Sequence, residues 1–185
     1  MKRIYNVTRT LVLTAALLVI QSASAQHLAL KTNLVYDACL VPSLGAECAL
    51  SNHCSLGVMG TYNPWGSGDR KWLNYSVQPE LRLWSHRTFT GPYFGINAVG
   101  GGYNVNGIHL FGLKSNHRQG YFYGGGISVG WHYILSTRLS IETQVSMSFV
   151  HANYDLVENR RRADSGYINT AMPIGTGINL VYILK

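Results

Sequence analysis

Apolar and polar residues alternate along most of this chain, and the alternation limits the folds that it can adopt. In residues 73–83, for example, Leu73 and Tyr75 belong to the apolar set while Asn74 and Ser76 belong to the polar set. A period of two is typical of a β-strand, whereas an amphipathic helix repeats every 3.6 residues. Similar runs lie at or near residues 28–36, 43–50, 55–63, 92–103, 120–134, 139–149 and 170–184. The sequence therefore predicts an all-β chain with eight strands.

The predicted connections alternate between short and long, apart from a short first connection at 37–42. The short ones are 51–54, 85–91 and 135–138, and the long polar ones are 63–72, 104–119 and 155–168. This arrangement is typical of an outer-membrane barrel with tight periplasmic turns, longer outer loops and both termini in the periplasm. We therefore expect an eight-stranded antiparallel up-and-down transmembrane β-barrel.

Composition favours a membrane barrel over a soluble one. Charged residues make up only 12% of the chain, and the polar faces carry mostly Asn, Ser, Gln and Gly. Such faces suit a crowded barrel lumen. The alternative is a soluble eight-stranded barrel such as a lipocalin, or a β-sandwich, which would carry many Lys and Glu residues on its wetted face.

Aromatic residues of the apolar phase cluster near both ends of the predicted strands. Such belts mark the two interfaces of a membrane. The loop-side set is Tyr36, Tyr62, Tyr75, Tyr121 and Tyr123, and the turn-side set is Trp131, Tyr133 and Tyr182.

The N-terminus has the three parts of a secretory signal peptide. Lys2, Arg3 and Arg9 precede an apolar run at 11–20, and Ala23-Ser24-Ala25 follows it. The run is too short for a transmembrane anchor, which needs about twenty apolar residues. We predict a signal peptide at 1–25 and a mature barrel at 26–185. Loss of the three cations lowers the formal net charge from +7 to +4, a balance too modest to indicate nucleic-acid binding.

The three cysteines, Cys39, Cys48 and Cys54, are interpreted as structural. Their odd number argues against a disulfide framework, and their spacing with His is not that of a zinc site. Whether Cys48 and Cys54 are bridged stays open. No cofactor or metal is predicted.

The polar phase directs five charged side chains towards the predicted lumen: Lys31, Glu47, Glu80, Arg82 and Glu142. An eight-stranded barrel has an interior that side chains just fill, so we expect structural ion pairs there. The alternative is a gated ion or proton path, which would make the protein a narrow channel.

No catalytic residues are predicted. Ser148, His151 and Glu158 lie near one end of the seventh strand, but Ser148 has the lumen phase and His151 the lipid phase. Ser128 and His132 share a phase but are four residues apart, which is about 13 Å along a strand. The glycine runs at 100–102 and 124–126 lack a following helix, so they favour strand bending over a phosphate-binding loop.

Several motifs resemble a family of uncharacterised Bacteroidetes outer-membrane barrels that is catalogued as a domain of unknown function. They are KTNLVYDA (31–38), TYNPW (61–65), KWLNYSVQPELRLW (71–84) and GINLVYILK (177–185). The resemblance implies a barrel of the OmpA-like superfamily without established catalytic residues. Some relatives are said to lie near fimbria-assembly genes.

The last predicted outer loop carries Arg160, Arg161 and Arg162, with acidic neighbours. They are interpreted as a solvated mixed-charge loop, or else as a contact for lipopolysaccharide phosphates or a surface protein partner. His109, Lys114, His117 and Arg118 belong to the same hypothesis. The predicted function is a non-enzymatic outer-membrane barrel with a structural, adhesion-related or surface/fimbria-assembly role. A lipid-modifying outer-membrane enzyme and a narrow channel are the alternatives.

Overall fold

The computed structural model describes residues 28–67, 70–106, 117–158 and 161–184. In this part of the chain a short helix, α1 (Leu34–Ala38), lies between the first two of nine strands. The strands are β1 (Leu28–Asn33), β2 (Ser43–Ser51), β3 (Cys54–Ser67), β4 (Arg70–Trp84), β5 (Gly91–Asn106), β6 (His117–Ile134), β7 (Leu139–Glu158), β8 (Arg161–Met172) and β9 (Gly177–Ile183). The predicted signal peptide, 1–25, lies outside the described residues.

Eight of the strands form a closed antiparallel barrel. Each strand from β1 to β7 pairs with the next, and β9 pairs with both β7 and β1. The prediction of an all-β, eight-stranded, antiparallel up-and-down barrel is confirmed. The additional strand, β8, pairs with the half of β7 that β9 leaves uncovered.

The strands are longer than the alternation predicted, and the predicted bounds of the three long loops are correspondingly wrong. Strand pairing continues to Ser67 and Arg70 in the first of them, so most of 63–72 is a hairpin. The predicted loops at 104–119 and 155–168 are likewise largely strand wherever the structure describes them. The sequences of these extensions mix polar and apolar residues without a clear period of two, so the alternation did not reveal them.

The first predicted strand, 28–36, ends early at Asn33. The Asn33 Oδ1 atom accepts hydrogen bonds from the amides of Val35 (3.1 Å) and Tyr36 (3.2 Å), which makes Asn33 the N-cap of α1. Tyr36 is therefore not part of an outward-facing belt. Its hydroxyl instead accepts a hydrogen bond from the Gly175 amide at 2.9 Å.

The last predicted strand, 170–184, is interrupted at 173–176. Pro173 cannot donate to a strand ladder, and Gly175 has a φ of +83°. The Thr176 side chain takes over the missing pairing with β7, since its Oγ1 lies 2.9 Å from both the amide and the carbonyl oxygen of Ser146. The chain then returns to the wall as β9.

Side chains are distributed inside out in this barrel. The lumen holds buried polar groups such as Glu47, Glu142 and Ser148, while apolar side chains such as Ile96 (57% exposed) and Val145 (63% exposed) cover the outer surface. The remaining aromatic residues of the two predicted belts are exposed: Tyr62, Tyr75, Tyr121, Tyr123, Trp131, Tyr133 and Tyr182. Among the described residues, no helix is long and apolar enough to span a membrane.

Candidate functional site

A cluster of buried charges occupies the middle of the lumen. The structure brings together all five residues that the polar phase directed inward: Lys31, Glu47, Glu80, Arg82 and Glu142. They come from β1, β2, β4 and β7, and each is at most 6% exposed.

Arg82 is the centre of this lumen cluster. Its Nη1 lies 2.9 Å from Glu47 Oε2 and 2.9 Å from Glu142 Oε2, while its Nε donates to Glu80 Oε2 at 2.7 Å. Lys31 Nζ is 2.9 Å from Glu142 Oε2 and also pairs with Glu47. Two cations thus tie three carboxylates across the barrel, so no carboxylate of the cluster is left without a cation.

Neutral polar groups complete the hydrogen bonding of the cluster. Gln144 Oε1 accepts from Arg82 Nη2 at 2.9 Å, and Asn179 Nδ2 donates to Glu142 Oε1 at 2.9 Å. The hydroxyls of Ser55 and Ser128 donate to Glu47 and Glu80. Gln144, Asn179 and Ser55 were not predicted as part of a site, although the alternation already placed them on the polar, lumen-facing side of their strands.

An aromatic plug fills the turn-side end of the lumen. Trp84, Phe89 and Tyr93 are each buried, with Trp84 ring contacts at 5.8 Å to Phe89 and 4.8 Å to Tyr93. The guanidinium of Arg82 lies 4.4 Å from the centre of the Tyr93 ring, which joins the plug to the charge cluster. Phe89 reaches inward from the turn between β4 and β5 with a φ of 62°. Phe89 was not predicted, because the alternation of inward and outward side chains applies to strand residues and not to a residue in a turn.

The loop-side half of the lumen is also filled near the cluster. Asn97 bonds to Ser146 (3.1 Å) and Ser148 (2.9 Å), and the 173–176 interruption lies over Gln78. The cavity beside the cluster has a volume of about 30 Å³, room for about one water molecule. In the described part of the chain, the lumen is therefore a packed polar core.

The candidate catalytic pair is separated by the barrel wall. Ser148 faces the lumen and its hydroxyl donates to Asn97 Oδ1 at 2.9 Å. His151 lies on the outer face, where its Nδ1 is 2.6 Å from Asn169 Oδ1 and its ring stacks on Tyr167 at 5.3 Å. The two side chains diverge, as their phases predicted. Glu158 has no described side chain.

The second candidate pair is also occupied elsewhere. Ser128 donates to Glu80, and the buried His132 has its Nδ1 3.5 Å from Glu142 Oε2 and its ring against Trp84. Among the described residues, no group of three or more His, Cys, Asp or Glu side chains is arranged to hold a metal ion. Cys39, Cys48 and Cys54 are all free thiols, so Cys48 and Cys54 are not bridged.

The predicted outer-loop contacts fall largely outside the described structure. Arg160, His109 and Lys114 lie outside the described residues. Arg161 and Arg162 begin β8, and His117 and Arg118 begin β6, but only the backbone of these four is described.

Comparison with known proteins identifies one family. No curated protein and no solved structure gives a significant match. Residues 10–184 match the sequence profile of DUF3575, a family described as a protein of unknown function. The match covers nearly the whole chain, including every described strand. The protein therefore belongs to the DUF3575 family.

Proposed function

We propose that this protein is an integral barrel of a bacterial outer membrane, exported by its signal peptide, with a non-enzymatic role at the cell surface. The observation that carries the proposal is the inside-out arrangement of side chains. Phe149 and Val145 are each 63% exposed and belong to a continuous apolar outer surface, while the lumen buries the charges. Exposed apolar area costs about 25 cal/mol per Å² in water, and a bilayer removes that cost.

The heights of the aromatic residues support this placement. Tyr62 and Tyr75 pair directly across β3 and β4, each five residues from the loop-side end of its strand, and Trp131 stacks with Tyr133 at 6.1 Å near the turn-side end. Tyrosine and tryptophan rings favour the head-group level of a bilayer. The band between the two sets is the segment that would lie in lipid.

The length of the strands supports a surface role. β6 has 18 residues and β7 has 20, whereas a tilted strand needs only about nine to eleven to cross a bilayer. The loop-side ends would therefore project beyond the outer head groups. We propose that they serve a structural, adhesion-related or surface-assembly role and contact outer-membrane lipid, lipopolysaccharide or a surface protein.

The finer classification belongs to the same proposal. The motif resemblance indicates the OmpA-like superfamily and a Bacteroidetes source, with fimbria assembly as one such surface role. The observations favour this reading over an enzyme, because Ser148 and His151 diverge, and over a channel, because the lumen is filled.

Cysteine labelling tests both the location and the orientation. The three native cysteines are first changed to serine, and one new cysteine is introduced as Gln119→Cys near the loop-side end or as Ser136→Cys in a turn-side connection. We expect a membrane-impermeant maleimide to label Gln119→Cys in intact cells. Ser136→Cys should react only after the outer membrane is permeabilised. Equal labelling of both variants in intact cells would refute the proposed orientation.

A further inference from the structure

In the part of the chain that the structure describes, the loop-side half of the barrel wall is open on one side. β1 ends at Asn33 and β2 begins at Ser43, whereas β3 continues to Ser67 and β8 runs from Arg161. Beyond the β1–β2 hairpin, no described strand lies between β3 and β8. Among the described residues, the wall therefore has two strands fewer at this level than at the turn-side end. Three strand spacings, or about 14 Å, would therefore separate the edges of β3 and β8.

The β3 edge of this opening is blocked. The amide of Tyr62 points into the opening and donates to the Pro42 carbonyl oxygen at 3.0 Å. Hydrogen-bonding direction alternates along a strand, so the next residue on this edge is Pro64, which has no amide hydrogen. The indole of Trp65 donates to the Leu40 carbonyl oxygen and holds the connection after α1 against the edge. Prolines and covering loops are the usual protection of a strand edge.

The β8 edge lacks that protection. The Ser146 backbone bonds towards β8 and β9 through Thr176, so even-numbered residues of β7 face β8. Their partners, such as Ile168 opposite Ala152 and Thr170 opposite Val150, direct their amides back to β7. The amides of Tyr167, Asn169 and Ala171 therefore point into the opening. No described strand pairs with this side of β8.

We infer that the β8 edge at residues 167–171 accepts an extended strand from another polypeptide by β-strand addition. This rests on the proposed surface role, because Tyr167 and Asn169 are in register, across β7, with Tyr121 and Tyr123 of the loop-side aromatic set, so the edge would be reached from the cell exterior at the outer head-group level. A row of backbone amides calls for a row of carbonyl oxygens at the spacing of a peptide, which lipid does not provide. The inserted side chains would lie beside Tyr167, 67% exposed on the outer face, and Ile168, 38% exposed on the inner face.

The direction of the opening specifies which part of the partner binds. An antiparallel strand beside β8 would continue the path of β1, which runs from the turn side to the loop side. Such a strand has its N-terminal end deepest, next to α1, and leads outward to the rest of its protein. The occupant is therefore an N-terminal extended segment with apolar residues on the face that lies beside Ile168.

A second copy of this chain fits the edge poorly. Two barrels inserted the same way in one membrane present β8 strands that run in the same direction, so these strands do not form an antiparallel ladder. Self-association is thus a distinct outcome that the experiment detects.

The test uses the full mature chain folded in detergent micelles and a synthetic peptide of about ten residues. The peptide alternates valine and threonine, has a free N-terminus and ends in two lysines for solubility. Amide hydrogen exchange is followed by NMR with and without saturating peptide. We expect exchange at Tyr167, Asn169 and Ala171 to slow by at least about tenfold. Exchange at Ile168 and Thr170, already bonded to β7, should stay unchanged.

Two variants at position 169 distinguish the contribution of the backbone amide to peptide binding from that of the side chain. Asn169→Pro removes the outward amide hydrogen without touching the β7 ladder and should abolish the protection. Asn169→Ala keeps the amide and should retain it. Heat-dependent gel mobility reports whether each variant still forms a barrel, and Ala171→Pro replaces Asn169→Pro if the latter does not fold.

Three results would overturn the inference. In the first, the peptide protects none of the three amides of an intact barrel. In the second, the amides are protected without peptide at every protein concentration, which means that the protein's own chain covers the edge. In the third, their protection without peptide grows with protein concentration, which means that the protein self-associates. A folded barrel that fails this test leaves its membrane location untouched, since the labelling experiment tests that separately.

Discussion

Among single residues, Arg82 makes the most ion pairs in the lumen cluster. Its guanidinium contacts Glu47, Glu80 and Glu142, which come from three different strands. A buried ion network of this kind adds less to stability than its contacts suggest, because each charge was first removed from water. Loss of Arg82 alone is a different matter, because Glu80 would then stay buried without a cation while Lys31 alone faces Glu47 and Glu142.

We therefore expect Arg82→Leu to lower the free energy of unfolding by about 3–5 kcal/mol. Combining it with Glu80→Gln should recover part of the loss, because Glu80 pairs with Arg82, whereas Glu47 and Glu142 keep their ion pairs with Lys31. Denaturant titration in micelles, with the folded fraction read from gel mobility, gives the free energy of unfolding of the wild type, the single variant and the double variant. An Arg82→Leu barrel with an unchanged midpoint would contradict a tightly coupled cluster.

Gly126 tests how closely the lumen is packed. A Cβ atom at Gly126 would lie 2.5 Å from the Ser148 Cα and would also meet the Met147 carbonyl oxygen. At Gly100 the nearest such atom is 3.9 Å away. We expect Gly126→Ala to destabilise the barrel by about 1–3 kcal/mol and Gly100→Ala to leave it nearly unchanged. Equal denaturation midpoints for the two variants would show that the lumen is loosely filled.

At the level of secondary-structure elements, the interruption of the last strand is the main irregularity. It is supported by the Thr176 hydroxyl, which bonds to both backbone groups of Ser146, and by Tyr36 and Gln78 around Gly175. The interruption divides the final wall segment into β9, which closes the barrel, and β8, which has no described strand on its other side.

Thr176→Val keeps the shape of the side chain but loses both hydrogen bonds to Ser146. We expect it to lower the free energy of unfolding by about 1–3 kcal/mol, because buried backbone groups lose their partner. Thr176→Ser keeps the hydroxyl and is the matched control. If the valine variant were as stable as the serine variant, the hydroxyl would not be what supports the interruption.

The strands also show how much of the fold the sequence alone could predict. Alternation located the middle of every barrel strand, because there one face is apolar and the other fills the lumen. It also found the five charges of the cluster, whose phase fixes their direction once a strand is assigned. It failed at α1, where the capping by Asn33 overrides the local pattern, and at Phe89, whose turn conformation has no phase. It also failed on the outer strand extensions, whose pairing depends on neighbouring strands.

At the scale of the whole molecule, an apolar exterior surrounds an interior that the described residues fill from the turn-side end to just beyond the charge cluster. The aromatic plug, the charge cluster and the 173–176 interruption follow one another along the barrel. The cavity beside the cluster, about 30 Å³, has room for about one water molecule.

A filled lumen predicts that the barrel does not conduct ions. Purified protein in a planar bilayer should therefore produce no discrete current steps above the background of protein-free detergent. Clear, reproducible open steps from a homogeneous preparation would show that the lumen opens, and would restore the narrow-channel hypothesis.

The inside-out barrel has its most direct test in cell fractionation followed by electrophoresis with and without boiling. We expect the protein in the outer-membrane fraction, with one mobility in the unboiled sample and another after boiling, because a closed barrel resists detergent until it is heated. Recovery in the soluble periplasmic fraction, with the same mobility in both samples, would contradict the membrane-barrel proposal.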